Sequence, residues 1–394
     1  MLVEYLLLLA IALAICLAIP CFVLLIECIS ALFARPTPPP RIRSEMALAV
    51  LMPAHNEAAG IVQTLRSLKP QLGPNDRLVV VADNCTDDTA ELARECGAMV
   101  VERVDETRLG KGYALDYGLR LLSGDPPDAV AVVDADCQFR TGSLRRLAAD
   151  AIAQRRPVQA VYLIDQPANP TLKESVSLFS FKVKNLVRPL GMARLGLPCL
   201  LTGTGMAFPW QVLAKVDLGT SSIVEDMKLG LDLAIARKSP LLCSAVTVVG
   251  PLPPNDVAAK TQRTRWEHGH LQIIFRYCPQ LLWEAIVQRR LDLLALALDL
   301  AIPPLALLVT LWLVMSLGMT LLLASGVWLP AIICYESGFA IAIAVLLAWV
   351  KFARADISFR MLLGVPAYIL WKIPLYLKFV SAPQTEWVRT NRKV

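Results

Sequence analysis

Apolar residues run almost unbroken through positions 1–33 and 291–381, and a mixed polar stretch lies between these two blocks. Residues 5–26 are apolar over a length sufficient to cross a hydrocarbon core of about 30 Å. This segment has no basic n-region and no small-residue cleavage site, so it is expected to be an uncleaved anchor rather than a signal peptide. In the second block the pattern predicts two further spans, 301–323 and 327–350, joined by an Ala324-Ser325-Gly326 turn. The last apolar stretch, 361–380, carries Lys372 and Lys378 and is followed by Arg389, Arg392 and Lys393. A span there would move three basic residues across the membrane, so a helix lying in or re-entering the inner interface is expected. Just before the spans, in residues 270–290, Ile273, Ile274, Leu281, Leu282 and Ile286 alternate with Gln272, Arg276, Glu284 and Gln288. That spacing predicts an amphipathic helix, either interfacial or packed in a core.

In the middle stretch the pattern is strand, turn, helix, repeated. Strands are predicted at 47–52, 78–82, 98–103 and 129–133, and helices at 58–68, 89–96 and 113–122. Strands alternating with helices of this length imply βαβ units and an α/β, Rossmann-like, mostly parallel sheet. Ligands of such sheets bind beyond the carboxyl ends of the strands. The chain therefore divides into an anchor (1–34), a Pro/Arg-rich connector (35–46), an α/β domain (47–267), an amphipathic helix (268–290) and C-terminal membrane and interfacial helices (291–394).

Composition supports this division. The mean hydropathy of +0.53 is too high for an ordinary soluble enzyme. The net charge of +6 is modest, and many basic residues flank the apolar blocks, including Arg35, Arg41, Arg43, Arg289, Arg290, Lys351 and Arg354. Positive-inside logic places these flanks, and the α/β domain with them, in the cytoplasm. Attraction to anionic membrane lipids explains the placement, whereas no basic, aromatic-interleaved face points to a nucleic-acid partner. The ten cysteines lack CxxC pairs and metal-like spacing, which fits reduced thiols in a cytosol.

The polar residues that end the predicted strands carry the chemistry. The first strand ends in Pro53-Ala54-His55-Asn56-Glu57, the second in Asp83-Asn84 and the fourth in Asp134-Ala135-Asp136. Acids gathered at one sheet edge repel one another unless a cation sits among them. A hard divalent ion with oxygen ligands and open positions for phosphate relieves that repulsion. Each cluster alone can equally be a cap or a turn; the three together point to a nucleotide-diphosphate site.

Further pieces follow in order: Asp83-Asn84-Cys85-Thr86-Asp87-Asp88-Thr89, Gly110-Lys111-Gly112-Tyr113-Ala114-Leu115, Gly203-Thr204-Gly205, Glu225-Asp226 and Gln262-Arg263-Thr264-Arg265-Trp266. With these the chain resembles the family-2 glycosyltransferases of the GT-A fold over residues 50–280. The last piece matches the Q-x-x-R-W signature of membrane polysaccharide synthases and ceramide-type glucosyltransferases. The resemblance implies that Glu57 and Asp83 hold the nucleoside and that Lys111 lies near the pyrophosphate. It implies that Asp134 contacts nucleotide or metal and that Asp136 ligates Mg²⁺ or Mn²⁺. Gln262, Arg263 and Arg265 would serve the diphosphate, and Trp266 with Gly203, Thr204 and Gly205 the acceptor. Asp226, beside Glu225 at the start of a helix predicted over 227–236, would be the general base. The family reads T-E-D where this chain has Val224-Glu225-Asp226.

Blander readings compete at several positions: a helix-capping turn for Asp83 and Asp226, a solvated lysine for Lys111, and a simple turn for Gly203-Thr204-Gly205. His268 and His270 are expected to be interfacial or packing residues rather than ligands.

The expected protein is then an inverting, metal-dependent glycosyltransferase of the bacterial inner membrane. It would carry a sugar from a UDP- or other nucleotide-diphosphate sugar to a lipid or lipid-linked saccharide acceptor, in surface polysaccharide or glycolipid synthesis. The tail Thr385-Glu386-Trp387-Val388-Arg389-Thr390 resembles bacterial surface-polysaccharide transferases. Three alternatives stand beside it: a processive synthase with coupled export, a nucleotidyltransferase, and a non-catalytic scaffold with a vestigial nucleotide site. Three or four membrane segments are few to enclose a polymer channel. The sequence leaves the oligomeric state open.

Overall fold

The computed structural model describes residues 2–35, 45–140, 142–219, 223–253, 255–362 and 364–382. The basic connector residues Arg41 and Arg43, the prolines beside them, and the C-terminal tail with Arg389, Arg392 and Lys393 lie outside the described residues. The chain forms two compact units.

The first unit to carry chemistry comprises the described residues within 35–165 and 198–269. Among the described residues its eight strands are β1 (Leu48–Ala54), β2 (Arg77–Asp83), β3 (Met99–Arg103), β4 (Ala129–Val132), β5 (Gln138–Phe139), β6 (Val158–Ile164), β7 (Met206–Pro209) and β8 (Leu241–Gly250). They form one sheet in the order β3-β2-β1-β4-β7-β6-β8-β5. The half built from β1 to β4 is parallel, as the alternating pattern predicts. Beyond β4 the sheet turns mixed: β7 runs antiparallel to both β4 and β6, and β5 antiparallel to β8.

Helices cover both faces of this sheet, which is why its central strands read as continuous apolar runs. Along β1, Leu48, Val50 and Met52 face one core and Ala49 and Leu51 the other. Because β1 lies between β2 and β4, the strand order reverses beside it, and a crevice is expected beyond the carboxyl ends of β1 and β4.

The second unit comprises residues 1–34, 166–197 and 270–383. Helix Leu2–Leu32 buries Ala10, Ala14, Leu17, Cys21, Leu24, Cys28 and Ala31, a stripe alternating by four and three positions. Ala340, Ile341, Ala344 and Ala348 of helix Leu329–Phe352 belong to the same core. Small residues on both helices let their backbones approach, as lipid-embedded helix pairs require.

Among the described residues, three helical segments are long and apolar enough to cross a membrane: Leu7–Leu32, Leu329–Phe352 and Phe359–Ser381. The last qualifies by length and hydropathy, where the charges of 361–380 had suggested an interfacial helix. The expected continuous span 301–323 is corrected. It is the second half of a bent pair, Leu291–Leu300 and Leu305–Leu321, which meet at 77°. Pro303 and Pro304 lie at the bend, where proline rings and missing amide hydrogens stop a helix.

Two boundaries also differ from the sequence reading. Residues 166–197, expected within the α/β domain, cluster with the apolar helices. The amphipathic helix expected from 270 begins earlier, as helix Asp256–Val287, so the Q-x-x-R-W residues are helical too.

Candidate active site

The carboxyl ends of β1, β2 and β4 open onto a cleft. Glu57, Asp83, Lys111, Asp134, Asp136 and Arg265 all line it, together with His55 and Asn84. Six residues proposed from five motifs thus meet at one place. Gln262, Arg263 and Trp266 are half-buried on the helix that carries Arg265 and do not line the cleft. His268 and His270 are buried, in keeping with packing roles.

Asp83 ends β2 and caps no helix; its carboxylate accepts a hydrogen bond from Arg103 Nη1 at 2.5 Å, with both side chains buried. Arg103 also reaches Asp105 at 2.9 Å and the carbonyl of Arg108 at 2.8 Å. Arg103 is the residue the sequence reading missed here. It ends β3 directly opposite Asp83 in the parallel register, and that pairing of strand ends is the signal that identifies it. His55 Nδ1 lies 2.6 Å from the Asp83 carbonyl and ties the ends of β1 and β2 together.

Lys111 opens helix Lys111–Leu122, and its side chain turns inward rather than to solvent, with 19% exposure. Its ammonium donates to an Asp134 carboxylate oxygen and, at 2.7 Å, to the carbonyl of Gly203. Burial works against the charged amine, but the facing Asp134, Glu225 and Asp226 carboxylates outweigh it and hold the lysine protonated. Gly110, before the helix, has φ +121°, a conformation in which a side chain is strained.

Glu225 and Asp226 occupy the first turn of helix Glu225–Ile235, whose cap position is Val224, so Asp226 is not the cap. Lys111 lines both this cleft and the neighbouring pocket that contains these two acids. Gly203 has φ +89°, and a methyl group there would sit 3.2 Å from Asp226 Oδ2 and 3.6 Å from Lys111 Nζ. Burial and the adjacent Asp226 push the Glu225 carboxyl up to about 7, against the pull of Lys111.

A raised carboxyl pKa favours the folded state only while the group stays neutral. Its benefit is present at low pH and is lost as pH rises from the ordinary carboxyl range through about 7. Glu225→Gln is therefore expected to raise the melting temperature of the detergent-solubilised protein at pH 8, with the gain fading toward pH 5. A pH-independent change in melting temperature would refute that assignment.

The donor atoms of Asp134, Asp136 and Cys137 lie within 4.8 Å of one another. Burial and the two neighbouring carboxylates hold the Cys137 thiol well above its usual range, so it stays protonated and donates toward Asp136 at 3.4 Å. The remaining ligands are two half-exposed carboxylates, hard oxygen donors with room for further ligands, which suit Mg²⁺ or Mn²⁺.

The profile of glycosyl transferase family group 2 matches residues 129–369, more than half the chain, and that of glycosyl transferase family 2 matches residues 49–196. The chain belongs to glycosyl transferase family group 2. The chain is 39% identical over 102 residues to the low-salt glycan biosynthesis hexosyltransferase of Haloferax volcanii, a match covering 25% of this chain and 23% of that one. It is 35% identical over 116 residues to the 4,4'-diaponeurosporenoate glycosyltransferase of Staphylococcus aureus, 29% of either chain. The chain thus spans well under half the length of these curated relatives in the matched regions. Its fold is similar to that of a mannosyltransferase from Pyrobaculum calidifontis solved with GDP-Man and Mn²⁺. The TM-score is 0.54 at 17% identity, over 94% of this chain and 99% of that one. The fold is therefore GT-A.

Proposed function

We propose that this transferase moves a sugar from a nucleotide-diphosphate sugar, with a UDP-sugar as the expected donor, to a lipid or lipid-linked acceptor with inversion at the anomeric carbon. The observation that carries the reading is the position of Lys111. It faces the Asp134 carboxylate on the cleft side and lines the pocket of Glu225 and Asp226 on the other. A leaving diphosphate in the cleft and an attacking hydroxyl beside Asp226 would then lie on opposite sides of one reacting carbon. The mannosyltransferase solved with GDP-Man and Mn²⁺ supports a nucleotide-sugar donor.

In this reading Glu57 and the Arg103-held Asp83 bind the nucleoside, and Lys111 and Arg265 face the diphosphate. Gln262 and Arg263, on the helix that presents Arg265, serve the same diphosphate, and Trp266 offers a ring face for the acceptor sugar. Asp226 takes the proton from the acceptor hydroxyl as its oxygen attacks, so a single displacement suffices. Asp134 and Asp136 would hold a Mg²⁺ or Mn²⁺ ion, which supplies charge to offset that developing on the diphosphate. The apolar helices support membrane attachment. Lys351 and Arg354, at the end of helix Leu329–Phe352, support a cytoplasmic site at the inner membrane.

The test is nucleotide release by the purified full chain in detergent, with UDP-, GDP- and dTDP-sugars, Mg²⁺ or Mn²⁺, and a membrane lipid extract. Release from one donor that depends on lipid and on the divalent ion supports the proposal. Release that ignores added lipid removes the lipid acceptor from it, and long-chain products transfer the reading to a processive synthase.

A further inference from the structure

Gln159 is a polar residue in the second position of β6, only 2% exposed, in a strand otherwise occupied by apolar side chains and Tyr162. Its amide is fully engaged, and mostly with one loop. Oε1 accepts from the backbone N–H of Thr202 at 2.9 Å, while Nε2 donates to the carbonyl of Thr204 at 2.9 Å and to that of Ala160 at 2.8 Å. Gln159 therefore holds the loop Thr202-Gly203-Thr204 from both sides, satisfying backbone groups that would otherwise be buried without partners.

That loop reaches each part of the proposed site. The carbonyl of Gly203 accepts from Lys111 at 2.7 Å, and the hydroxyl of Thr204 accepts from the backbone N–H of Asp134 at 3.1 Å. Gly203 also lies against Asp226, close enough that a methyl group there would sit 3.2 Å from its carboxylate. The loop is pinned to the sheet at its far end, where the N–H of Gly205 donates to Val132 at 3.0 Å. Gly203 and Gly205 both adopt positive φ, so backbone preference alone does not hold the loop in place.

We propose that Gln159 is a positioning residue for donor binding: through the Thr202–Thr204 backbone it sets where Lys111 and Asp134 stand in the nucleotide cleft. It touches none of the reacting groups itself. The inference rests on the proposed nucleotide-sugar reading of the cleft and adds a residue that no motif contains.

Gln159→Met keeps the side-chain volume and removes both hydrogen-bonding ends. Two quantities are measured on the full chain: the affinity for UDP or GDP with Mn²⁺ by calorimetry, and kcat and KM for the active donor. The nucleoside-diphosphate Kd and the donor KM are expected to rise together by about tenfold, because small misplacements of binding groups are costly. Loss of folded protein alone lowers kcat per total protein and leaves KM and Kd where they were, and that result overturns the proposal. Should the methionine variant not fold, Gln159→Glu serves in its place. It retains the acceptor facing Thr202 and loses the donor to Thr204, and the same rise in Kd is expected. Thr204→Val adds a coupling test: if Gln159 acts through the loop, the double variant binds nucleotide no more weakly than Gln159→Met alone, whereas independent roles multiply. Wild-type protein that binds neither UDP nor GDP overturns the underlying reading as well; wild-type binding with an unchanged Kd in the variants overturns this inference only.

Discussion

Asp226→Asn is expected to lower kcat by about 10³-fold while donor KM stays within about twofold of wild type. Asparagine keeps the shape of the side chain and can still hydrogen-bond an acceptor hydroxyl, but it cannot take up a proton. The change should leave donor binding intact, because Asp226 lies outside the set of residues lining the nucleotide cleft. Lys111 keeps its partners at Asp134 and Gly203 in the variant. The measurement is donor turnover in the presence of acceptor, beside nucleotide affinity for the same preparation. A variant within tenfold of the wild-type rate would show that the proton goes elsewhere, and Glu225, its neighbour in the same helical turn, would be the first group to test next. A variant that loses nucleotide affinity along with rate would instead assign Asp226 to donor binding.

How far the site can be read before folding depends on the distance over which each residue finds its partners. Glu57, Asp83, Asp134 and Asp136 stand at strand ends, and a parallel sheet brings strand ends together whatever the connecting helices contain. Lys111 is legible for the same reason, since a helix that follows β3 returns its first residue to that edge. Arg103 needed one more step, the register that sets it against Asp83. Gln159 had no local signal: its partners are the loop residues Thr202 and Thr204, 43 and 45 positions away.

The strands β6 and β8 also escaped the pattern. Gln159 and Ser244 interrupt their apolar runs, and the neighbours that satisfy a buried amide are visible only in three dimensions. In the membrane block the error had another source. Hydropathy averaged along 301–323 passes over Pro303 and Pro304 at its start, so the second helix of a bent pair reads as an independent, continuous span.

The buried charges of the apolar unit were equally invisible, and they carry the second large effect. Arg188 donates from Nε to Glu27 at 3.1 Å and from Nη2 to Asp299 at 2.6 Å, with all three side chains buried. The partners are 161 and 111 residues away in sequence, on helices Leu2–Leu32 and Leu291–Leu300. Gly191, one turn beyond Arg188, packs so closely on Glu27 that a methyl group would meet its carbonyl at 2.1 Å. Glycine thus allows the backbone approach that lets the arginine reach both acids. Removing the cation alone strands two carboxylates in an apolar setting. Arg188→Met is therefore expected to destabilise the protein by about 3–5 kcal/mol, read as a lower melting temperature in detergent and poor recovery from membranes. Removing all the charges together leaves nothing stranded. The triple variant Glu27→Met, Arg188→Met, Asp299→Leu is expected to recover most of the lost stability, because a buried ion cluster repays its desolvation only partly. If the triple variant is as unstable as Arg188→Met, the cluster contributes through specific geometry rather than charge balance. If Arg188→Met melts with the wild type, the two acids find another cation or a shared proton, and the arginine does not hold these helices together.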